Sequence, residues 1–333
     1  MTQLMTMAQT RRADTLAVHS LDEYVISVPN LDEAYEFYDL FGLKPVRMGN
    51  ELHLYAHNNP HRYARIKQGS KKRLLWLSFG VYAQDYDAMV THIKASKVEI
   101  ISAPEGEDEK GIWIKSSDGF PVQVKIAEKS SPSMSPPRKI EPESNGQGRS
   151  PNKSKVLKVH PLYMSHVLIF TKSVNGALEF YGKLLGLRLS DSAGDDLIGF
   201  VHSPHGSDHH LLAFLKADDY GFHHSSWTVQ SIDEVGLGSM QMNAAGFKEG
   251  WGVGRHVLGS NYFRYIQDPW GSFIEYSYDI DFVPHDLDWP AANHPPDDSL
   301  YAWGPDVYEE FGVNFEVVGQ QFKPKRIHPE QVT

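Results

Sequence analysis

Short runs in which apolar and polar residues alternate, or in which apolar residues are continuous, recur along the chain and predict strands. Residues 51–57 (ELHLYAH) and 73–81 (RLLWLSFGV) are such runs, as are 196–203 (DLIGFVHS), 209–215 (HHLLAFL) and 225–231 (SSWTVQS). Two longer stretches switch from this period to the helical one. YVISVPNLDEAYEFYDLFGL at 24–43 and HVLIFTKSVNGALEFYGKLLGL at 166–187 each read as a strand followed by an amphipathic helix that a glycine stops. Both helices carry Ala-x-Glu-Phe-Tyr and both end in Gly-Leu. Second helices are predicted over 84–96 and 232–245. Each half then closes with two strands around a turn containing Asp and Gly, GIWIKSSDGFPVQVKI at 111–126 and YFRYIQDPWGSFIEYSYD at 262–279. Strand, helix and three strands, with a helix before the last pair, therefore occur twice, and the expected class is α+β built by tandem duplication.

The segment between the halves, 129–156, is rich in Pro, Ser, Gly and charge and poor in large apolar residues. It cannot bury enough surface to offset its ordering entropy and reads as a flexible linker or surface insertion. The expected organisation is a tail at 1–19, a first domain at 20–128, the linker, a second domain at 157–283 and an extension at 284–333. The extension has too many aromatic residues for a disordered tail, so it is expected to wrap the second domain, cover a pocket mouth or contact a subunit.

Composition narrows the function. With 333 residues, 41% hydrophobic and 22% charged, the chain has the make-up of an ordinary globular protein of two domains. A formal net charge of -10 argues against nucleic acid as partner, since that binding relies on Lys and Arg neutralising phosphates. No apolar stretch is long enough to span a membrane, and the first residues have no signal-peptide core, so a cytoplasmic protein is expected. The absence of cysteine rules out disulfides and thiolate chemistry and fits that compartment. Seventeen histidines are the first chemical clue, because imidazole is the commonest metal ligand and titrates nearest neutral pH.

The repeat offers an internal control. Aligned by sequence, His166 falls on Tyr24, His224 on Trp76 and Glu275 on Gln123, so three residues able to bind metal in the second half face none in the first. Two histidines and one carboxylate from three strands can occupy one face of an ion and leave the rest open, the ligand pattern of non-haem Fe(II) oxygenases; zinc sites more often close with four ligands. Each residue also has a plainer reading. A lone His opening a strand, as His166 does, is more often a satisfied packing residue, and the 223–224 pair reads as surface polarity at a strand start. His205 and His209 in SPHGSDHH read as part of a polar hairpin loop without a role. Glu275 fits a plain reading least, because a carboxylate among apolar residues is costly unless paired or ligating.

The motifs SHVLIF, HHLLAF, FHHSSWTV and GRHVLGSNYFRYIQDPWGSFIEYSYD make the second half resemble the type I extradiol ring-cleaving dioxygenases of the vicinal oxygen chelate superfamily. The resemblance spans roughly 20–128 and 157–283. It implies two vicinal oxygen chelate domains of βαβββ architecture, the first without metal. It also implies cleavage of a catechol next to its hydroxyls with both atoms of O2, in a homo-oligomer. The family's metal ligands fall on His166, His224 and Glu275, for Fe(II) or, in some members, Mn(II). Its catalytic residues fall on His210, His256 and Tyr265, and Trp251 and Asn261 flank them as candidate substrate contacts. Some biphenyl-diol members carry an acidic residue where this chain has Gly259, which leaves the substrate branch open. A glyoxalase-like isomerase and a metal-free binding protein share the scaffold. The first would draw ligands from both halves, and the second would not need His210, Tyr265 and the full triad together.

Overall fold

A computed structural model describes residues 10–136, 150–317 and 322–326; the start of the N-terminal tail, 137–149 of the linker and the remaining parts of the extension lie outside the described residues. The first half comprises β1 (Ser20–Val28), α1 (Leu31–Phe41), β2 (Lys44–Met48), β3 (Glu51–Tyr55), β4 (Arg62–Gln68), β5 (Arg73–Val81), α2 (Tyr86–Ala95), β6 (Ile100–Ile101), β7 (Ile112–Lys115) and β8 (Pro121–Ile126). The second comprises β9 (Tyr163–Thr171), α3 (Val174–Leu185), β10 (Arg188–Ala193), β11 (Ile198–His202), β12 (Ser207–Asp208), β13 (Leu212–Lys216), β14 (Gly221–Thr228), α4 (Ile232–Ala244), β15 (Gly252–Arg255), β16 (Tyr262–Gln267) and β17 (Phe273–Tyr278). β18 (Phe282–Val283) closes this half, and the extension adds β19 (Ala292–His294) and α5 (Pro296–Ser299).

The helices start and stop where local chemistry dictates. The Asn30 side chain accepts from the backbone of Asp32 and Glu33 to cap α1, and Ser173 and Ser231 do the same for α3 and α4. Gly42 ends α1 at φ 101°, and a Cβ there would also meet the Val159 carbonyl at 2.0 Å, so only glycine fits.

The sheets run β2-β3-β4-β1-β5-β8-β7-β6 and β15-β16-β17-β14-β9-β13-β11-β10-β19. The duplication is thus finer than the sequence predicts: a βαβββ unit occurs twice within each half. The two units of each sheet meet at an antiparallel pair, β1 with β5 and β9 with β14. One apolar core runs across both halves. Phe41 of α1 stacks on Tyr276 of β17 with ring centroids 3.9 Å apart, and the Tyr276 hydroxyl donates to the Phe41 carbonyl at 2.7 Å. Lys72 and Glu316 form a buried ion pair at 2.6 Å, and Glu316 also accepts the backbone N–H groups of Leu74 and Phe222, tying both halves to the extension.

The observed register corrects the internal alignment by one residue. Ser226 pairs with His166 and Glu275, and its counterpart Ser78 pairs with Glu23 and Gln123, so His166 corresponds to Glu23 and not to Tyr24. The helix motif agrees with this register: Glu23 stands seven residues before the cap Asn30, and His166 stands seven before the cap Ser173. Glu23 is a possible ligand by type, but it is consumed by Arg62 at 2.8 Å and Arg65 at 3.0 Å. Arg65 in turn lies 5.0 Å over the Trp76 ring. The first sheet therefore fills with an ion-paired, aromatic layer the space that the second sheet uses for histidines.

Candidate active site

Three neighbouring strands build the centre. In the second sheet Ser226 of β14 lies opposite His166 of β9 on one side and Glu275 of β17 on the other, and Tyr265 of β16 pairs with Glu275. These four form a row across the sheet. His224, two residues before Ser226, shares its face because strand side chains alternate. The His166 and His224 Nε2 atoms lie 3.4 and 3.7 Å from Glu275 Oε2. One donor atom from each residue lies within 4.8 Å of the others, and all three residues are buried. Among the described residues His224 Nε2 and Glu275 Oε2 have no hydrogen-bond partner. A buried polar atom left unpaired costs about 1–3 kcal/mol, and a shared cation would satisfy these donors together.

Hydrogen bonds behind the histidines fix which nitrogen faces the centre. The Phe311 carbonyl only accepts, so His223 donates from Nε2 at 2.6 Å and its bare Nδ1 accepts from His224 Nδ1 at 2.7 Å. His224 is left with its lone pair on Nε2, aimed at Glu275. On the other side His166 Nδ1 meets the Ser165 hydroxyl at 3.3 Å, and that hydroxyl donates to Asp208 at 2.6 Å. Burial pushes the Asp208 carboxyl up to about 6. Asn261 donates to Glu275 Oε1 and to the Ser277 hydroxyl, both at 3.0 Å, leaving Oε2 to the centre. Burial first, and the neighbouring imidazoles second, drive His210 and His224 well below 6.5, so both are neutral bases.

The centre opens into a cavity of about 240 Å3. His166, His210, His224, His256, Asn261 and Tyr265 form its polar end. Leu168, Leu197, Ile198, Phe200, Leu215 and Leu258 belong to an otherwise apolar wall, and the extension closes it with Pro296, Leu300, Val307 and Phe311. Among the described residues no Lys or Arg lines it.

Metapyrocatechase 2 of Cupriavidus necator is 48% identical over 300 residues, covering 90% of this chain and 93% of that protein. The chain belongs to the extradiol ring-cleavage dioxygenases. The Glyoxalase/Bleomycin resistance protein/Dioxygenase superfamily matches residues 163–276, which contain all three clustered residues. The Mn(II)-bound glyoxalase of Novosphingobium aromaticivorans shares the fold, with a TM-score of 0.69 at 22% identity over 90% of this chain and 95% of that one. The 2,2',3-trihydroxybiphenyl 1,2-dioxygenase of Sphingomonas wittichii strain RW1 shares it too, with a TM-score of 0.66 at 18% identity over 87% of this chain and 100% of that one. The chain is thus an aromatic-ring-cleaving dioxygenase with a vicinal oxygen chelate fold.

The remaining candidates of this dioxygenase divide between the cavity and its support. The His210 ring lies 4.0 Å from that of His166. His256 donates from Nδ1 to the Leu300 carbonyl at 2.7 Å and so accepts the Tyr265 hydroxyl on Nε2 at 2.9 Å. Trp251 is not in the wall: it stacks behind Tyr265 at 5.7 Å and donates to the Pro305 carbonyl, because the extension buries that sheet edge. Asn261 does reach the wall, with its amide engaged by Glu275. His205 and His209 are buried rather than on a polar loop. His205 accepts from the Arg12 backbone at 3.0 Å and donates to the Ala17 carbonyl at 3.3 Å, since the N-terminal segment packs over it. His223, read from sequence as surface polarity, is buried inside β14 and orients His224. Paired adjacent histidines on strand-like runs were the available signal for His209 and His223. Among the described residues no helix is long and apolar enough to cross a membrane.

Proposed function

We propose that this dioxygenase cleaves a catechol with an uncharged, apolar ring substituent next to its hydroxyls, at Fe(II) held by His166, His224 and Glu275. The observation that carries the reading is three buried donors, two unpartnered, converging at the closed end of an apolar cavity. Two imidazole nitrogens and one carboxylate suit ferrous iron with open positions, and Mn(II) accepts the same set. When bound, the metal supplies Lewis acidity and a place where the catechol oxygens and O2 meet.

The chain's own groups do the rest. A cavity of roughly 150 Å3 holds benzene, so about 240 Å3 admits the ring and leaves room for a substituent. Among the described residues the wall carries no cation to pair a carboxylate, which favours alkyl or aryl groups. His210, neutral and beside His166, takes a substrate hydroxyl proton and returns it later in the cycle. The Tyr265 hydroxyl, whose one proton rests on His256 Nε2 in the free site, turns that proton to an oxyanion that develops on the opening ring. The apolar wall and the extension keep water out. A cytoplasmic homo-oligomer is part of the same reading, supported by the lack of cysteine and by the family resemblance.

The test is His210→Phe. It keeps ring volume and should leave iron stoichiometry at the wild-type level while catechol-dependent O2 uptake falls about 100-fold or more. Unchanged uptake removes His210 from the reaction.

A further inference from the structure

Buried behind the proposed base is a second histidine whose presence the reaction does not by itself explain. His209 Nε2 lies 2.9 Å from Asp191 Oδ2, and its Nδ1 lies 3.0 Å from His210 Nδ1. A carboxylate oxygen only accepts, so the His209 proton sits on Nε2 and its Nδ1 is bare. Two facing Nδ1 atoms need one proton between them, and it must be carried by His210. That leaves the His210 lone pair on Nε2, the nitrogen available to the cavity. We propose that Asp191 and His209 are positioning residues that hold His210 in the tautomer a base requires.

Asp191 is held in turn by the extension. Its Oδ1 accepts the Ala292 backbone N–H and His294 Nε2, both at 3.0 Å, and its Oδ2 also faces Trp289 Nε1 at 3.4 Å. Trp289 packs edge-on to the His209 ring, with centroids 5.2 Å apart. The segment that closes the cavity therefore also anchors the carboxylate that orients the base. The arrangement repeats, with different chemistry at its end, the Phe311–His223–His224 chain that orients a proposed ligand. The inference rests on the reading of His210 as the base.

The test exploits a donor that cannot change. The Ala292 N–H at 3.0 Å is the closer of the two fixed donors on Asp191, against Trp289 Nε1 at 3.4 Å, so in Asp191→Asn the amide oxygen stays on the Ala292 side, and the new NH2 takes the Oδ2 position facing His209. His209 must then offer a lone pair from Nε2, move its proton to Nδ1 and donate to His210 Nδ1. The His210 proton is driven to Nε2, where it blocks proton uptake. Holoenzyme Asp191→Asn is expected to lose about 100-fold in kcat, with KM for catechol and iron content unchanged. His209→Phe should lose as much. His209→Gln, which keeps one donor and one acceptor in reach, should be at least about tenfold more active than His209→Phe.

If His210→Phe is inactive while Asp191→Asn keeps its kcat, the relay is overturned and the base stands. If His210→Phe is fully active, the base itself is wrong. Equal loss in His209→Gln and His209→Phe, or a loss that appears as raised KM or missing iron, assigns the pair a packing role and overturns the proposal.

Discussion

Replacing Glu275 with Gln should raise the stability of the metal-free protein while abolishing metal binding. Glu275 Oε2 points at the Nε2 lone pairs of His166 and His224 from 3.4 and 3.7 Å, and neither Oε2 nor His224 Nε2 has a partner. With the Asn261 bond holding the oxygen side, the Gln amide nitrogen takes the Oε2 position and donates toward the imidazoles. Two unpaired buried groups are relieved, each costing about 1–3 kcal/mol, but the separations are long for hydrogen bonds, so a net gain of about 2 kcal/mol is expected. For 333 residues the unfolding entropy is on the order of 0.7 kcal/mol per kelvin, which converts the gain to about 3 °C in Tm. Calorimetry of chelator-stripped wild type and variant reads it, and elemental analysis reads the metal. The order should reverse with Fe(II) at a hundred times its Kd, which stabilises the wild type alone by about 2.7 kcal/mol. A stripped Glu275→Gln that melts below stripped wild type would refute the idea that the apo site is held against its own preference.

Other outcomes follow from the same structure. Because no Lys or Arg among the described residues lines the cavity, an alkylcatechol should exceed 3,4-dihydroxyphenylacetate in kcat/KM by about 100-fold, the equivalent of about 3 kcal/mol for an unpaired buried carboxylate; equal values contradict the apolar-pocket assignment. Burial pushes His19 down to about 3 and His202 and His205 to about 4, against an ordinary value of 6.5. Below about pH 6.5 the unfolded chain takes up protons that these residues refuse in the native state, so stability is fully present above that pH and is lost as pH falls toward 4. Each contributes a slope of up to about 1.4 kcal/mol per pH unit. Tm should therefore be flat from pH 7 to 8 and drop steeply below pH 6, and His19→Phe should flatten the fall; a flat profile in the wild type counts against neutral buried imidazoles. Asn261→Leu removes the donor that fixes Glu275 and should weaken iron affinity about tenfold or more by titration, with unchanged affinity showing that the carboxylate needs no such support.

Much of this was legible in sequence because local rules govern it. The helices α1 and α3 were predicted by their amphipathic period and by the glycine stop, and β5 coincides with its apolar run. The strands left unread are those whose pattern tertiary contacts override. In β4, Arg65 and Lys67 sit among ion-pair partners on an inward face, so charge interrupts the expected alternation. In β10, Ser190 and Asp191 are buried yet satisfied by His202, His209 and the extension. β15 reads Gly-Val-Gly-Arg, too glycine-rich to signal a strand by propensity. The one-residue shift between the halves was itself legible, because aligning Ala34-x-Glu36-Phe37-Tyr38 with Ala177-x-Glu179-Phe180-Tyr181 without a gap places His166 on Glu23, whereas matching the apolar strand starts places it on Tyr24. For the site, the clustered His166, His224 and Glu275 were readable from residue type and motif. His209 and His223 were not, since they pack against Trp289 and Phe311 of an extension far away in sequence, and polarity alone placed them at the surface.

The central claim is most directly tested by anaerobic loading with Fe(II), addition of an alkylcatechol, and exposure to isotopically heavy O2. Wild type should form a yellow ring-opened product carrying two heavy oxygen atoms, one O2 consumed per catechol, and His166→Ala should give neither iron nor product. Product with only one heavy atom, or product formed at the wild-type rate by His166→Ala, would contradict ring cleavage at this centre.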